Sequence, residues 1–147
     1  MPSPGKDLID PRGPRFGAGV TTLVLGLVLL TGSAWLLAAQ ALLFALGVAE
    51  RSPYAVLYRR LVRSHLGPPA ELEDRRPPRF AQAVGLGFAL VGLAGFLAGS
   101  TPVALVATGA AFVAALLNAA TGFCLGCEVY LVLRRIPTHV ARKEVSA

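Results

Sequence analysis

The chain has 147 residues, of which 54% are hydrophobic and only 15% are charged. Its mean hydropathy of +0.62 is too high for a soluble domain of this length, so a soluble globular protein is excluded and a membrane protein is expected. The net charge of +6 comes from basic residues that flank apolar segments without any nucleic-acid-binding motif, and nucleic acid is therefore not an expected partner.

Two long segments, residues 16–49 and 80–127, contain no charged side chain. A helix needs about 20 residues to cross a hydrocarbon core of about 30 Å, so each segment is long enough for two spans. Polar turns at residues 31–33 and 99–102 divide the two segments. We therefore predict an all-α membrane protein with four transmembrane helices, arranged as two tandem hairpins.

All 14 Lys and Arg residues lie outside the predicted spans and their outer turns. By the positive-inside rule both termini and the central loop are cytoplasmic, and the basic residues there attract anionic lipid headgroups. The prediction is one integral membrane domain with five segments: a cytoplasmic tail 1–15, hairpin 16–49, basic loop 50–79, hairpin 80–133 with the cysteine segment, and a cytoplasmic tail 134–147.

The start of each hairpin carries a related sequence. Residues 10–20 match residues 74–84 at six positions with an offset of 64, which predicts a parallel repeat. The repeat argues against a cleaved signal peptide at residues 1–34, because a second copy lies in the middle of the chain. Proline suits a first helical turn and arginine anchors at headgroups, so four arginines are predicted membrane anchors, with a lipid or partner site as the alternative. These are Arg12, Arg15, Arg76 and Arg79.

Between the hairpins, Ser52 and Pro53 are typical of a helix start, and apolar residues then follow at helical spacing with arginines between them. This pattern predicts an amphipathic helix on the inner membrane surface. A second similarity aligns Tyr54 with Tyr130, which are 76 residues apart. The larger offset predicts that the second copy gained residues, and that this added length contains the cysteine segment.

The last apolar stretch, residues 102–133, would be about 48 Å long as one helix, well beyond the bilayer core. It must tilt, break or protrude, and Gly122 and Gly126 would permit a break near the cytoplasmic boundary. Small residues recur at every fourth position of this stretch, which predicts close helix packing and allows a homodimer.

The segment TGFCLGCE contains both cysteines, Cys124 and Cys127, followed by Glu128. In a continuous helix their β-carbons would be about 5–6 Å apart, too far for a disulfide, so a reversible disulfide requires a helix that breaks or begins there. At such a start the Cys124 thiol would meet the helix N-terminus, which favours thiolate. Three interpretations stay open: a working dithiol, a zinc site completed by His65 or His139, and cysteines that only pack.

Polar residues near this segment are the other candidate site residues. Glu128 is either a proton acceptor or an acid paired with Arg134 or Arg135. Asn118 and Thr121 are substrate-lining candidates, although hydrogen bonding between helices explains Asn118 equally. No cofactor motif is present in the sequence.

The motif GFCLGCEVY, together with DPRGPRF near the start and the RSPY and PPRFAQA segments, resembles the bacterial membrane proteins of domain-of-unknown-function family 4395. The resemblance implies a small four-span protein of the bacterial inner membrane, with the cysteine motif as its hallmark and no assigned activity. It also implies a thioredoxin-like or sulfurtransferase partner.

Three functions are compatible with the sequence. In the first, Cys124 attacks, Cys127 resolves and Glu128 accepts a proton, so that the pair exchanges electrons or sulfur with the cytoplasmic partner. In the second, the chain is a dimeric permease subunit for a sulfur-containing anion, with Asn118 and Thr121 along the path. In the third, it is a structural or assembly protein without catalysis.

Overall fold

The structure is a computed structural model that describes residues 8–68 and 71–146, with side chains as far as residue 136. Lys6 and the side chain of His139 lie outside this description. The described chain is all-α apart from one two-residue strand pair, Leu8–Ile9 with Glu73–Asp74, and a short 3-10 turn at Arg63–His65. Six helices form it: α1 Arg12–Thr31, α2 Ala34–Val48, α3 Pro53–Leu61, α4 Arg76–Leu97, α5 Thr101–Thr121 and α6 Leu125–Ser146.

Three helices, α1, α4 and α5, are long and apolar enough to cross a bilayer. Helix α2 has only 15 residues, and it becomes a fourth candidate span together with the Pro53–His65 segment, from which it is bent by 83°. At most 28% of the residues in the apolar window of α1, α4 or α5 are buried, so most of this apolar surface faces outward. Helix length and hydropathy thus indicate a multi-pass membrane protein.

Glycines in the left-handed backbone region end two of these helices. Gly32, at φ 66°, ends α1 and donates its N–H to the carbonyl of Val28 at 2.7 Å. Gly122, at φ 78°, ends α5 in the same way through the carbonyl of Asn118 at 2.8 Å. The predicted turns at residues 31–33 and 99–102 are present, with Gly32 and Gly99 at positive φ, and the overlong last stretch breaks at Gly122.

Helix α3 is the predicted amphipathic helix. Pro53 occupies its first turn, where a missing N–H costs nothing. Tyr54 and Tyr58 are buried against α1, and Arg59 and Arg60 are exposed. The tyrosines thus lie on the side of α3 that faces the protein, and the arginines lie on its exposed side.

The helices of the two hairpins pack crosswise. Helix α1 packs along α5, α2 packs along α4, and α4 also packs along α5, while α3 lies on α1 and α6 lies on α4. Leu25, Leu37 and Phe44 from the first hairpin meet Ala89 and Ala111 from the second in one core cluster. Neither hairpin has a separate core, because each buries its apolar side against the other.

Matching contacts recur in the two halves. The guanidinium of Arg15 donates to the carbonyls of Ala119 and Ala120 at the end of α5, both at 3.1 Å. Arg79, 64 residues later, donates to the carbonyl of Val48 at the end of α2 at 2.7 Å. Each hairpin thus begins with an arginine that binds the end of the other hairpin.

The aromatic contacts correct the predicted alignment of the halves. Phe16 contacts Tyr58 with ring centroids 5.9 Å apart, and Phe80 contacts Tyr130 at 5.6 Å. Tyr130 therefore matches Tyr58, at an offset of 72 rather than 76. The extra residues lie where α4 and α5 meet, since α4 is two residues longer than α1 and α5 is six longer than α2. The expectation that the added length contains the cysteine segment is wrong.

Close packing by small residues is present at specific positions. A β-carbon on Gly95 would lie 2.7 Å from the backbone nitrogen of Ala104, so α4 and α5 approach each other directly here. Two other glycines, one in α4 and one directly after it, do not make this contact with α5. Gly85 lies under Phe44 of α2, and Gly99, at φ 75°, is in the turn.

We expect Gly95→Ala to lower stability by about 1–3 kcal/mol, because the added methyl meets backbone that cannot move aside cheaply. Gly87→Ala in the same helix is the matched control, since nothing lies within 4 Å of its β-carbon position. It should be neutral or stabilising, because alanine favours helix over glycine. Denaturant unfolding of both variants in mild detergent measures the difference, and equal effects would contradict the close-approach interpretation.

Candidate functional site

The cysteine segment lies at the break between α5 and α6. The Thr121 hydroxyl donates to the carbonyl of Leu117 at 2.6 Å and accepts the N–H of Phe123 at 3.2 Å. With Gly122 in the left-handed region, the chain turns and begins α6 at Leu125. Thr121 thus shapes the break, and it is not among the residues that line the cavity beside the cysteines.

Cys124 stands directly before α6 and acts as its N-cap. Its Sγ accepts the N–H of Cys127 at 3.2 Å, and its carbonyl accepts the N–H of Glu128 at 3.0 Å. The two sulfur atoms lie at disulfide distance, with Cα atoms 5.1 Å apart. This geometry is the helix start that a reversible disulfide requires.

Both cysteines are half-buried, and Glu128 next to them is exposed. Among the residues with described side chains, the Glu128 carboxylate has no ion-pair or hydrogen-bond partner. Arg134, considered as its partner, instead lies over the ring of Tyr130 at 5.9 Å. The carboxylate is therefore close in sequence to Cys127 and accessible from solution.

Gly126, between the two cysteines, brings α6 against α4. A β-carbon there would lie 2.6 Å from Cβ and 2.7 Å from Cα of Ala81. Since no side chain larger than hydrogen fits, the position of the cysteine pair is fixed by a backbone-to-backbone approach. The sequence shows Gly126 as a possible break, and its packing role depends on a distant partner.

A cavity of about 360 Å³ lies beside Cys124, between α1, α4, α5 and α6, with Phe44 of α2 also in its wall. We call it the cysteine groove. Alanines and glycines form most of its wall, and no charged residue is among the residues that line it. The few polar residues that line it include Cys124, Asn118 and Gln82.

Gln82 of α4 lines both this groove and the larger cavity described below. Its Oε1 atom is buried and has no hydrogen-bond partner among the described residues. The side chain lies against Gly47, where an added β-carbon would be 2.8 Å from Oε1. Because Gly47 lines the larger cavity and not the cysteine groove, the amide oxygen lies on the side of the larger cavity.

The predicted anchors bind the protein itself. Arg15 and Arg79 hold the helix ends described above, and Arg79 also pairs with Glu50 at 3.2 Å. Arg12 forms an ion pair with Asp10, and Asp74 accepts the backbone N–H of Arg76 at 2.9 Å. A β-carbon on Gly122 would be 3.9 Å from Arg15 Nη1, so one of these cations lies close to the cysteine break.

The described residues contain no group of three or more His, Cys, Asp or Glu side chains that could hold a metal ion. His65 lies in the 3-10 turn after α3, far along the chain from the cysteines, and the side chain of His139 is outside the description. The described geometry therefore offers Cys124 and Cys127 as a pair and not as part of a four-ligand zinc site.

A larger cavity of about 780 Å³ lies between α1, α3 and the start of α4 and contains no cysteine among its lining residues. At its edge Asp10 accepts hydrogen bonds from the Arg12 side chain and from the Tyr58 hydroxyl, at 3.0 and 2.9 Å. The Arg12 side chain, helped by the Arg12 N–H and Tyr58, lowers the pKa of Asp10 to about 2 although burial opposes this. This cluster ties α3 to the start of α1.

Because the folded-state pKa of Asp10 is lower than its ordinary value, its contribution to stability is complete above about pH 4 and is lost as the pH falls towards 2. We expect Asp10→Asn to lower the unfolding free energy at pH 7 by about 2 kcal/mol and to flatten the stability profile between pH 4 and pH 2. Glu73→Gln, on an exposed strand residue, is the control. An unchanged profile in the Asp10 variant would contradict this assignment.

Comparison with known proteins gives one match. A family profile described as Domain of unknown function (DUF4395) matches residues 9–135, which is most of the chain and includes the cysteine segment and both arginine contacts. No curated protein and no solved structure matches. The chain belongs to the DUF4395 family.

Proposed function

We propose that this protein is a membrane thiol–disulfide protein, in which Cys124 and Cys127 exchange electrons or sulfur with a cytoplasmic thioredoxin-like or sulfurtransferase partner. The observation that carries the proposal is the cysteine pair at disulfide distance on the first turn of α6. The N–H of Cys127 points at Cys124 Sγ and stabilises negative charge there when the pair is reduced. Cys124 is therefore the attacking thiolate and Cys127 the resolving thiol.

The exchange passes through a mixed disulfide on Cys124. The Cys124 thiolate attacks a disulfide sulfur of the partner, and one partner thiolate leaves. Cys127 then loses its proton to Glu128 and attacks Cys124 Sγ, which releases the second partner thiolate. Two electrons have moved from the pair to the partner, and the reverse sequence reduces the pair.

The proposed topology has four spans in two tandem hairpins related as a parallel repeat. Helices α1 and α5 run in opposite directions, and the Arg15 contacts place the start of α1 beside the end of α5. The cysteine break therefore shares one side of the molecule with Arg15 and Arg79, whereas the outer turns carry no basic residue. That side is cytoplasmic by the positive-inside rule, with both termini and α3 at the anionic inner surface of the bacterial plasma membrane.

The permease alternative is less well supported by the geometry. A path for a sulfur-containing anion would pass Asn118 and the thiols, yet the residues that line the cysteine groove include no cation. That alternative also includes a homodimer. Two of the small residues of α5 that were expected to allow one, Ala107 and Ala111, are already buried within one chain.

The proposal predicts that Cys127→Ser accumulates a mixed disulfide. Cys124 can still attack the partner, but the resolving thiol is absent. A reducible adduct should appear on non-reducing gels of membranes from cells that express Cys127→Ser, and Cys124→Ser, its matched control, should form much less. If neither variant forms an adduct and the double alanine variant is fully functional in cells, the cysteines only pack and the proposal fails.

The topology predicts one-sided labelling of the reduced cysteines. A membrane-impermeant maleimide should react in inside-out vesicles and not in right-side-out vesicles, because the α5–α6 break is cytoplasmic. Labelling should disappear after mild oxidation and return after reduction. Reaction from the outer side alone would reverse the proposed orientation.

A further inference from the structure

The cysteine groove runs from the cysteine break into the apolar part of the helix pair α4 and α5. Asn118 and Cys124 are at one end, and Ala110 and Phe88, which are eight or more residues further into the two spans, also line it. Ala110 and Phe88 are exposed on the surface of these spans. In a membrane the groove is therefore open to lipid along its length and meets the sulfur at its polar end.

The lining of the groove selects the chemistry of an occupant. With apolar walls and no charged side chain among its lining residues, it would strip water from an anion or a sugar without replacing its hydrogen bonds. An apolar body that enters from the bilayer avoids this cost. At the polar end the Asn118 amide can donate a hydrogen bond.

The wall of the groove near the sulfur is formed mainly by small residues. Gly85, Ala114, Ala115 and Gly126 line it together with Ala18 of α1. Their short side chains leave the space beside Cys124 open.

From these observations we infer that the cysteine groove binds a lipid-soluble quinone, which accepts two electrons from the reduced Cys124–Cys127 pair. The inference rests on the proposed exchange function in its reverse direction, in which a partner dithiol reduces the pair, and it names the oxidant that then returns the pair to its disulfide form. A quinone has an apolar ring and tail, two carbonyl oxygens that accept hydrogen bonds, and a two-electron reduction that matches a dithiol.

The reaction is balanced by the pair and the quinone alone. Two S–H bonds are lost and one S–S bond forms between Cys124 and Cys127, which releases two electrons and two protons. The quinone takes up both and becomes a hydroquinone with two new O–H bonds. Asn118 donates to a quinone carbonyl.

The direct test uses the full chain, purified in lipid nanodiscs, reduced, and mixed without oxygen with decylubiquinone or a short-chain menaquinone. One hydroquinone should form per cysteine pair, with a rate that saturates as the quinone concentration rises. The same preparation is mixed with glutathione disulfide, which reports thiol exchange independently. The double variant Cys124→Ala with Cys127→Ala provides the background.

Matched variants locate the reaction in the groove. Ala114→Leu enlarges a residue of the groove wall and should lower the rate constant for quinone reduction by at least about tenfold. Val113→Leu, on the exposed neighbouring position, should change it less than twofold. Asn118→Leu should raise the quinone concentration at half-saturation, and size-exclusion profiles verify that each variant is folded.

The outcomes separate the two proposals. If the wild-type pair reacts with glutathione disulfide but does not reduce quinone above background, the quinone inference is overturned and the exchange function stands. Equal quinone rates in Ala114→Leu and Val113→Leu overturn the groove as the binding site. A pair that reacts with neither oxidant overturns both.

Discussion

The crosswise arginine contacts are the interaction on which the arrangement of the bundle depends. A helix that ends near a membrane surface leaves carbonyl groups without partners, and each is costly when water is scarce. Arg15 satisfies the end of α5, and Arg79 satisfies the end of α2. Because each arginine begins the opposite hairpin, these bonds also fix which helices lie side by side. The shared apolar core then forms between hairpins and not within them.

The same contacts decide where the cysteines lie. Helix α5 must end where Arg15 can reach its carbonyls, and Gly122 makes the turn immediately afterwards. The next helix therefore starts directly after this turn, with Cys124 as its cap and a cation nearby. A continuous helix would have kept the two sulfur atoms apart, whereas its first turn brings them together. The close approach of the two sulfur atoms is thus a consequence of how a long apolar stretch is interrupted.

Much of the fold follows from the sequence because local signals are strong. Charge-free segments, turn glycines and the Ser52–Pro53 start predict the helices and turns, and the break at Gly122 is one of the permitted outcomes. The alignment of the two halves inferred from the sequence is wrong because Tyr54 and Tyr58 are both plausible matches for Tyr130. Only the ring contacts distinguish them. The groove was also not predicted, since it depends on which helices become neighbours. Likewise, the arginine motif is visible in the sequence, but the Ala119 carbonyl that Arg15 binds is about 100 residues further along the chain.

The two halves differ at the start of the helix that follows each hairpin. In the first half Ser52 precedes α3, and Tyr54 donates to Gln40, which donates to Thr21, so this polar network is closed. In the second half Cys124 and Gly126 take the places of Ser52 and Tyr54. A side chain at Gly126 would collide with Ala81 of α4, so the approach of α6 to α4 requires the smaller residue. The same scaffold thus holds a closed polar network in one half and a cysteine pair beside an apolar groove in the other.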